Sequence, residues 1–534
     1  MAEQASKTMA IVMSAFAAFG GFLYGYDTGY ISGVKEMNFW LYRYGDCDGT
    51  INPDTGYPNC PISSGTNSLV TSILSAGTFV GALCAYPAGD FLGRRYGIMA
   101  FLVLFCIGVA LQTGASGRLA VFVVGRVFAG LGVGGTSCLV PMYQSECAPK
   151  HIRGMIVGAY QWMITIGLLI ASIVVNSTRT HFSLYSYGIP IGIQFIWAAV
   201  LATGLALLPE SPRYLIAVGK DEQAQKALSR ILGCPIDSEP VAEQYAEIAA
   251  SVHHVRSLGG TTYLDCFKNT NRNRLRSLTG IGLQAIQQLM GINFIFYYGT
   301  TFFKHSGIQD NFLITIATNV VNVGATIPGL YLIDKAGRRI MLLIGAIGML
   351  TCHFIVAGVG VGVSDDNDAG QKVLIAFVCI FIAFFAATWG PMPWVVTGEI
   401  YPTATRGKQM SMSTASNWLF NFGIGYATPY LTDSGPGNAG LGSNVFWIWG
   451  GVSTVAVFFV YFFIPETKGL SLEQVDMLYR KSSILKSNEF RKQILAENMQ
   501  DDDKDAYKSA FNSGAGKTQG TADHKEKVEM RDLA

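Results

Sequence analysis

Apolar runs of about 20 residues, the length a helix needs to cross the hydrocarbon core of a bilayer, recur along the chain with short polar segments between them. They fall near 9–33, 67–88, 97–115, 119–141, 154–176, 187–208, 277–303, 311–333, 340–362, 373–398, 408–431 and 444–464. The pattern predicts an all-α membrane protein with twelve transmembrane helices. The largest polar interval, Glu210 to Arg276, divides six runs from six, and its Asp221–Leu232 stretch has the charge pattern of a surface helix. The predicted organisation is a six-helix bundle over 1–208, a cytoplasmic helical domain over 209–276, a second six-helix bundle over 277–464, and a tail over 465–534. Beyond about residue 485 the tail is polar enough to be disordered.

Orientation follows from the basic residues. Arg94 and Arg95, Lys150 and Arg153, Arg272/Arg274/Arg276, Lys335/Arg338/Arg339 and Arg406/Lys408 fall in alternate loops, on the same side as both termini, whereas the opposite loops hold acids such as Asp46, Asp48, Asp54, Asp365, Asp366 and Asp368. The positive-inside rule then makes both termini, the middle domain and the Arg-rich turns of this multi-pass chain cytoplasmic.

Composition narrows the function. Of 534 residues 50% are hydrophobic and 14% charged, about half the charge of a soluble domain, which excludes an ordinary soluble enzyme. The net charge of +2 and the absence of a long basic run give nucleic acid no footing. The ten cysteines show no CxxC pair, so no metal site and no cofactor is expected. Cys47 and Cys60 lie together in a polar loop on the outer side, where they can be joined or free. Thr8–Leu23 runs on through a Gly-Tyr-Asp-Thr-Gly segment without a cleavage site and reads as the first span rather than a signal peptide. Asn176-Ser177-Thr178 matches a glycosylation sequon, but at the end of span five. With no GxSxG, P-loop, dinucleotide fingerprint or metal cluster, there are no catalytic residues to support an enzyme.

An internal repeat decides the architecture. Asp90-x-x-Gly93-Arg94-Arg95 recurs as Asp334-x-x-Gly337-Arg338-Arg339, Glu146-x-x-Pro149-x-x-x-Arg153-Gly154 as Glu399-x-x-Pro402-x-x-x-Arg406-Gly407, and Pro209-Glu210 as Pro465-Glu466, in the same order and at a nearly constant offset. Two pseudo-symmetric six-helix halves in parallel orientation, with a solute site between them, is an arrangement of secondary transporters.

The turn Gly89–Arg95, the segments Gly125–Gly135, Pro141–Gly154, Pro209–Arg213, Gln287–Tyr298, Asp334–Arg339, Gly390–Gly407 and Pro465–Gly469 together resemble the sugar porter family of the major facilitator superfamily, most like its fungal hexose transporters. The similarity runs from Ala15 to about Tyr479. It implies a plasma-membrane carrier of monosaccharides, glucose first with other hexoses or xylose second, working by alternating access as a functional monomer in the lipid bilayer. It also implies that Arg94, Arg95, Glu146, Arg153 and Glu210, with Arg338, Arg339, Glu399, Arg406 and Glu466, form a charge network locking the cytoplasmic ends of the two halves together.

A sugar offers many hydroxyls and no charge, so its site needs neutral groups that both donate and accept; amides do this at less cost than ions. Gln284, Gln287 and Gln288 share one helical face, Asn293 follows about one and a half turns later, and Asn417 and Asn421 sit one turn apart. By resemblance, Gln161, Gln287, Gln288, Asn293, Asn322, Asn417 and Trp394 line the sugar, with Asn421 and Trp418 close behind. Trp394 follows Gly390-Pro391-Met392-Pro393, which must interrupt span ten. Where several family members place an acidic sugar ligand in that span, this chain has Ala386. Each amide can alternatively serve as an interhelical hydrogen bond.

Asp27, deep in span one, is a costly charge and a functional candidate by default, with Arg126 in span four its expected partner. The resemblance implies proton coupling through this pair; a facilitated-diffusion uniporter of the same sugars and a static ion pair remain alternatives. Tyr297 and Tyr298 are expected to close over the sugar as an outer gate, or to sit in an interfacial aromatic belt. A non-transporting sugar sensor on the same fold is the remaining reading; such sensors usually carry a longer tail than the roughly 70 residues after Pro465.

Overall fold

The computed structural model describes residues 2–51, 56–147, 153–257, 262–305, 311–362, 368–402, 404–470 and 472–496. Among them there are helices and no strand beyond one isolated bridge, Ile51 with Pro58. The first repeat comprises α1 (Ala2–Val34), α2 (Asn38–Tyr44), α3 (Ser64–Leu92), α4 (Arg94–Thr113), α5 (Leu119–Cys147), α6 (Arg153–Thr178), α7 (Tyr185–Gly192) and α8 (Gln194–Leu207). The middle segment holds α9 (Pro212–Ala217), α10 (Asp221–Leu232) and α11 (Glu239–Ser257). The second repeat comprises α12 (Asn273–Leu289), α13 (Ile292–His305), α14 (Asn311–Ala336), α15 (Arg338–Gly362), α16 (Asp368–Phe384), α17 (Met392–Glu399), α18 (Arg406–Thr432) and α19 (Val445–Phe463), followed by α20 (Leu472–Lys481).

Nine helical segments among the described residues are long and apolar enough to cross a membrane: α3, α4, α5, α6, α7 with α8, α14, α15, α16 with α17, and α19. The expected runs outside that set are α1, α12 with α13, and α18. These are the helices that carry Asp27, Gln287, Gln288, Asn293, Asn417 and Asn421. α12 and α13 have only 17 and 14 residues each, and α18 is rich in Ser, Thr, Asn and Gln.

Within the repeats α1 lies along α6, α3 and α4 along α5, α12 along α18 and α15 along α19; the repeats meet where α18 lies along α3 and α14 along α6. Glycine permits the close crossings. A Cβ at Gly25 of α1 would stand 2.0 Å from the carbonyl oxygen of Ile164 on α6.

Expected span seven is not continuous. α12 stops at Leu289 and Gly291, at φ +83°, turns the chain before α13 begins. A side chain there would also strike Trp449, whose ring is 2.6 Å from the Cβ position, so both backbone and space call for glycine. The break expected at Gly390–Pro393 is present: α16 passes into a π-helical segment, Phe385–Trp389, and α17 starts at Met392.

In the middle segment Leu215, Ile216, Ala224, Ala227 and Val252 form a small apolar cluster separate from the main core. Arg276, read from sequence only as part of a basic turn, is buried; it pairs with Asp476 of α20 at 2.8 Å and lies over the Tyr479 ring at 4.3 Å. The tail stays ordered past the expected limit near 485: residues 487–496 are helical, Ile494 is buried, and the Ser487 hydroxyl accepts the Glu466 N–H at 3.1 Å. A few apolar residues among many charges anchor it, a signal that overall polarity hides. Cys47 and Cys60 are joined in a disulfide.

Candidate functional site

Between α1 and α6 on one side and α12, α13, α17 and α18 on the other lies a cavity of about 30 Å³, with Gln161, Gln287, Gln288, Asn293, Trp394 and Asn417 in its lining. Six of the eight expected binding residues therefore come together. A volume of that size holds about two water molecules, so a solute larger than that fits only if the lining moves apart. Asn421 sits one layer behind the lining, and Asn322, buried on α14, is outside it.

The amides bond one another. Gln288 Nε2 donates to Asn417 Oδ1 at 2.9 Å, and its Oε1 accepts from Asn293 and, at 3.0 Å, from Asn421. Asn417 Nδ2 donates to Gln284 Oε1 at 2.7 Å and Gln287 Oε1 at 2.8 Å. Gln287 Nε2 donates to the carbonyls of Trp389 and Gly390 at 2.7 and 3.1 Å, at the break between the π segment and α17. Buried amides are satisfied this way at little net cost, and sugar hydroxyls of matching donor and acceptor type can replace the bonds one for one. Trp394 packs edge-on to Tyr160, centroids 5.9 Å apart, while Trp418, behind the site, donates to Ser137 Oγ at 3.1 Å. Tyr24, Thr28 and Phe385 also line the cavity, and sequence reasoning missed them because ordinary apolar or hydroxyl residues in a span carry no distinguishing signal. Ala386 follows Phe385 in the π segment.

Asp27 and Arg126 are both fully buried, with Arg126 Nη1 3.8 Å from Asp27 Oδ2. The pair is loose. Neither Asp27 oxygen accepts a hydrogen bond among the described residues, and Arg126 donates instead to the Tyr30 hydroxyl at 3.0 Å. Tyr30 passes the chain on to Gln112 Oε1 at 2.5 Å.

Tyr297 and Tyr298 of α13 are buried and tied to α18: the Tyr297 hydroxyl donates to Asn421 Oδ1 at 2.8 Å and the Tyr298 hydroxyl to the Gly425 carbonyl at 2.6 Å. Such burial argues against the belt alternative, since belt aromatics keep one end wet. Sequence reasoning missed Lys35. Its ammonium, buried at the end of α1, stands 3.6 Å over the Tyr298 ring and donates to Asn67 Oδ1 at 3.0 Å and Thr71 Oγ1 at 3.3 Å on α3. A lysine just after an apolar run reads as a flanking charge, and only the fold shows it turned inward.

At the other end the repeated motifs form repeated geometry. Arg94 donates to Glu146 through Nε at 3.1 Å and Nη2 at 3.0 Å, and the Glu210 carboxylate accepts the backbone N–H groups of Arg94 and Arg95 at 3.0 and 3.1 Å. In the second repeat Arg338 donates to Glu399 through Nε at 3.2 Å and Nη2 at 2.7 Å, and Glu466 accepts from the N–H groups of Arg338 and Arg339 at 3.0 and 3.2 Å. Arg95 and Arg339 each reach a backbone carbonyl, that of Ala206 at 2.9 Å and that of Tyr461 at 2.7 Å. Arg406 donates to the Gly398 carbonyl at 2.6 Å; the side chain of Arg153 lies outside the described residues. The ion pairs of Arg94 and Arg338 thus stay within one repeat each, which corrects the expectation of a direct clasp between halves: they brace each half's own end. Contact between the halves here runs through Lys408 Nζ to the Tyr86 hydroxyl at 2.8 Å and Ser411 Oγ to the Ala82 carbonyl at 2.7 Å.

Comparison with known proteins bears on the family. The family model described as "Sugar (and other) transporter" matches residues 13–479. The chain is 50% identical over 483 residues to the major facilitator-type transporter ecdD of Aspergillus rugulosus, covering 88% of this chain and 87% of that one. It is 43% identical over 501 residues to the high glucose sensor RGT2 of Saccharomyces cerevisiae, covering 92% of this chain and 64% of the sensor. It is 44% identical over 483 residues to the probable glucose transporter rco-3 of Neurospora crassa, covering 89% and 80%. Among solved structures, the proton:xylose symporter XylE bound to 6-bromo-6-deoxy-D-glucose superposes with a TM-score of 0.76 at 28% identity, covering 89% of this chain and 100% of that one. The inward-open conformation of XylE from E. coli gives 0.66 at 27% identity, covering 88% and 99%. A match running nearly end to end, together with the duplicated motifs and their duplicated geometry, means that the chain belongs to the sugar transporter family of the major facilitator superfamily and is not an enzyme.

Proposed function

We propose that the protein carries monosaccharides across the plasma membrane, glucose first with other hexoses or xylose second, by alternating access and in symport with protons. The observation that carries this reading is the cluster of mutually bonded amides, Gln287, Gln288, Asn293 and Asn417, beside Trp394, in a cavity whose lining also includes Thr28, the residue after a loosely held Asp27. Twelve spans in two six-helix bundles, with both termini and the middle helices cytoplasmic and a single chain as the working unit, complete the proposal. The Gly-Arg-Arg end is then the inner gate, and the better superposition on the sugar-analogue-bound XylE than on the inward-open form supports reading that gate as closed here. The breaks at Gly291 and at Phe385–Met392 are where α13 and α17 can tilt without unfolding their helices.

Two readings compete. Likeness to RGT2 at 43% identity supports a glucose sensor built on the same cavity, and a uniporter would use the same amides without a proton. Uptake of labelled glucose and xylose into a transporter-deficient cell, with and without a protonophore, separates all three: collapse of accumulation supports symport, equilibration insensitive to the protonophore supports uniport, and binding without uptake supports a sensor.

On this reading Lys35 latches the outer gate, because it joins Tyr298 of the second half to α3 of the first. Lys35→Met keeps the stem and removes the charge. It is expected to accelerate modification of a cysteine placed at Thr28 by an impermeant external reagent by roughly tenfold or more, since a desolvated cation–π contact contributes about 2 kcal/mol. The exposed native Cys84 is replaced beforehand. An unchanged labelling rate would refute the latch.

A further inference from the structure

A second cavity, about 670 Å³, opens between the first Gly-Arg-Arg turn and the helices α9 and α10. Arg95, Lys220, Lys226 and Arg230 face it, against one carboxylate, Glu210. That carboxylate is already engaged, accepting the N–H groups of Arg94, Arg95 and Ser211 at 3.0, 3.1 and 2.9 Å. Lys226 pairs with Glu222 of its own helix, whereas Lys220 and Arg230 have no carboxylate partner among the described residues. Arg95 gives one Nη to the Ala206 carbonyl, but its Nε is buried and without a partner. Four like charges around one pocket repel each other and leave a buried donor unmet, and both costs vanish if an anion with several acceptor oxygens sits among them.

The mouth of the cavity identifies the source of such an anion. Leu92 and Tyr96 are part of the lining and exposed, and Phe91 and Leu207, at 85% and 74% exposure, end the neighbouring spans α3 and α8. Basic cavity and apolar helix ends thus adjoin at the level where a membrane-spanning helix leaves the bilayer, the combination that holds phospholipid headgroups.

We propose that this cavity binds a phosphate-bearing anion, presented by the headgroup of an anionic phospholipid in the leaflet on that side. The site rests on the membrane reading of the chain and not on its sugar or its coupling ion, so its test reads binding alone. Purified full-length protein is titrated with short-chain phosphatidylinositol 4,5-bisphosphate, with short-chain phosphatidylcholine, with inositol 1,4,5-trisphosphate and with inorganic phosphate. The phosphoinositide is expected to bind more tightly than phosphatidylcholine and the soluble anions, with affinity falling as salt rises. Lys220→Gln with Arg230→Gln should weaken it roughly 25-fold, about fivefold for each charge removed at a membrane surface, and Lys220→Arg should restore part of the loss. Unchanged melting temperature in the double variant separates lost binding from lost folding. Equal binding of the trisphosphate and the lipid, both lost in the variant, would overturn the headgroup as source. Phosphoinositide binding no tighter than phosphatidylcholine, or unaffected by the double variant, would overturn the site.

Discussion

Asp27→Asn is expected to abolish accumulation of sugar against its gradient while exchange of labelled for unlabelled sugar continues. Coupling requires a carboxylate that gains a proton in one state and loses it in another, and what favours each form is the distance to a compensating positive charge. Arg126 stands at 3.8 Å from Asp27, outside hydrogen-bond range, and spends its Nη1 on Tyr30 at 3.0 Å. A buried carboxylate with no hydrogen-bond donor on either oxygen depends on Arg126 for the compensation of its charge. A small displacement of α1 against α5 therefore changes which form is stable. Asparagine is neutral throughout and mimics the protonated form, so the cycle loses its proton-dependent step but keeps its sugar site, which shares no hydrogen bond with Asp27. In proteoliposomes with an imposed proton gradient, the variant should equilibrate sugar without concentrating it, and its uptake should no longer depend on pH. A variant that still concentrates sugar would remove Asp27 from the coupling path. A wild type that never concentrates sugar would reject symport and leave the cavity and the gates standing.

What could be read from sequence and what could not divide along a physical line. Periodicity and repetition are properties of the chain, so nine of the twelve expected spans, the helices between the repeats and both Gly-Arg-Arg sites were legible, and so was the interruption at Gly390–Pro393, where proline removes donors. The amides were legible because an amide in an apolar span is costly and must have a use. Orientation of a side chain around its helix is a tertiary property. Asn322 and Gln287 look alike in sequence, but only Gln287 faces the cavity. Lys35 and Arg276 read as ordinary topology charges and are both buried, one against Tyr298 and one against Asp476 and Tyr479. The Arg–Glu network was legible in membership but not in connectivity: spacing shows that Arg94, Glu146 and Glu210 recur as Arg338, Glu399 and Glu466, and only the packing shows that each set closes on itself.

Gln288→Ala is expected to raise the half-saturation for glucose by roughly 5- to 150-fold, the equivalent of about 1–3 kcal/mol for a buried polar group left unpaired. Gln288 is the node of the amide cluster: its Nε2 serves Asn417 and its Oε1 serves both Asn293 and Asn421. Truncation leaves two amide donors unmet and offers a bound hydroxyl nothing in their place, so the loss falls on sugar binding and should appear in half-saturation more than in maximal rate. Gln287→Ala makes the internal contrast. Its Nε2 is spent on the carbonyls of Trp389 and Gly390, where the π segment gives way to α17. Removing it should therefore slow the movement of α17 as well as weaken binding, lowering maximal rate where Gln288→Ala does not. Asn322→Ala, outside the cavity lining, should leave glucose half-saturation within about twofold, since no hydroxyl is left unpaired. Uptake kinetics measured at matched amounts of protein in the membrane would decide the assignment. If Gln288→Ala and Asn322→Ala behave alike, the amide cluster is an interhelical packing device and the sugar binds elsewhere.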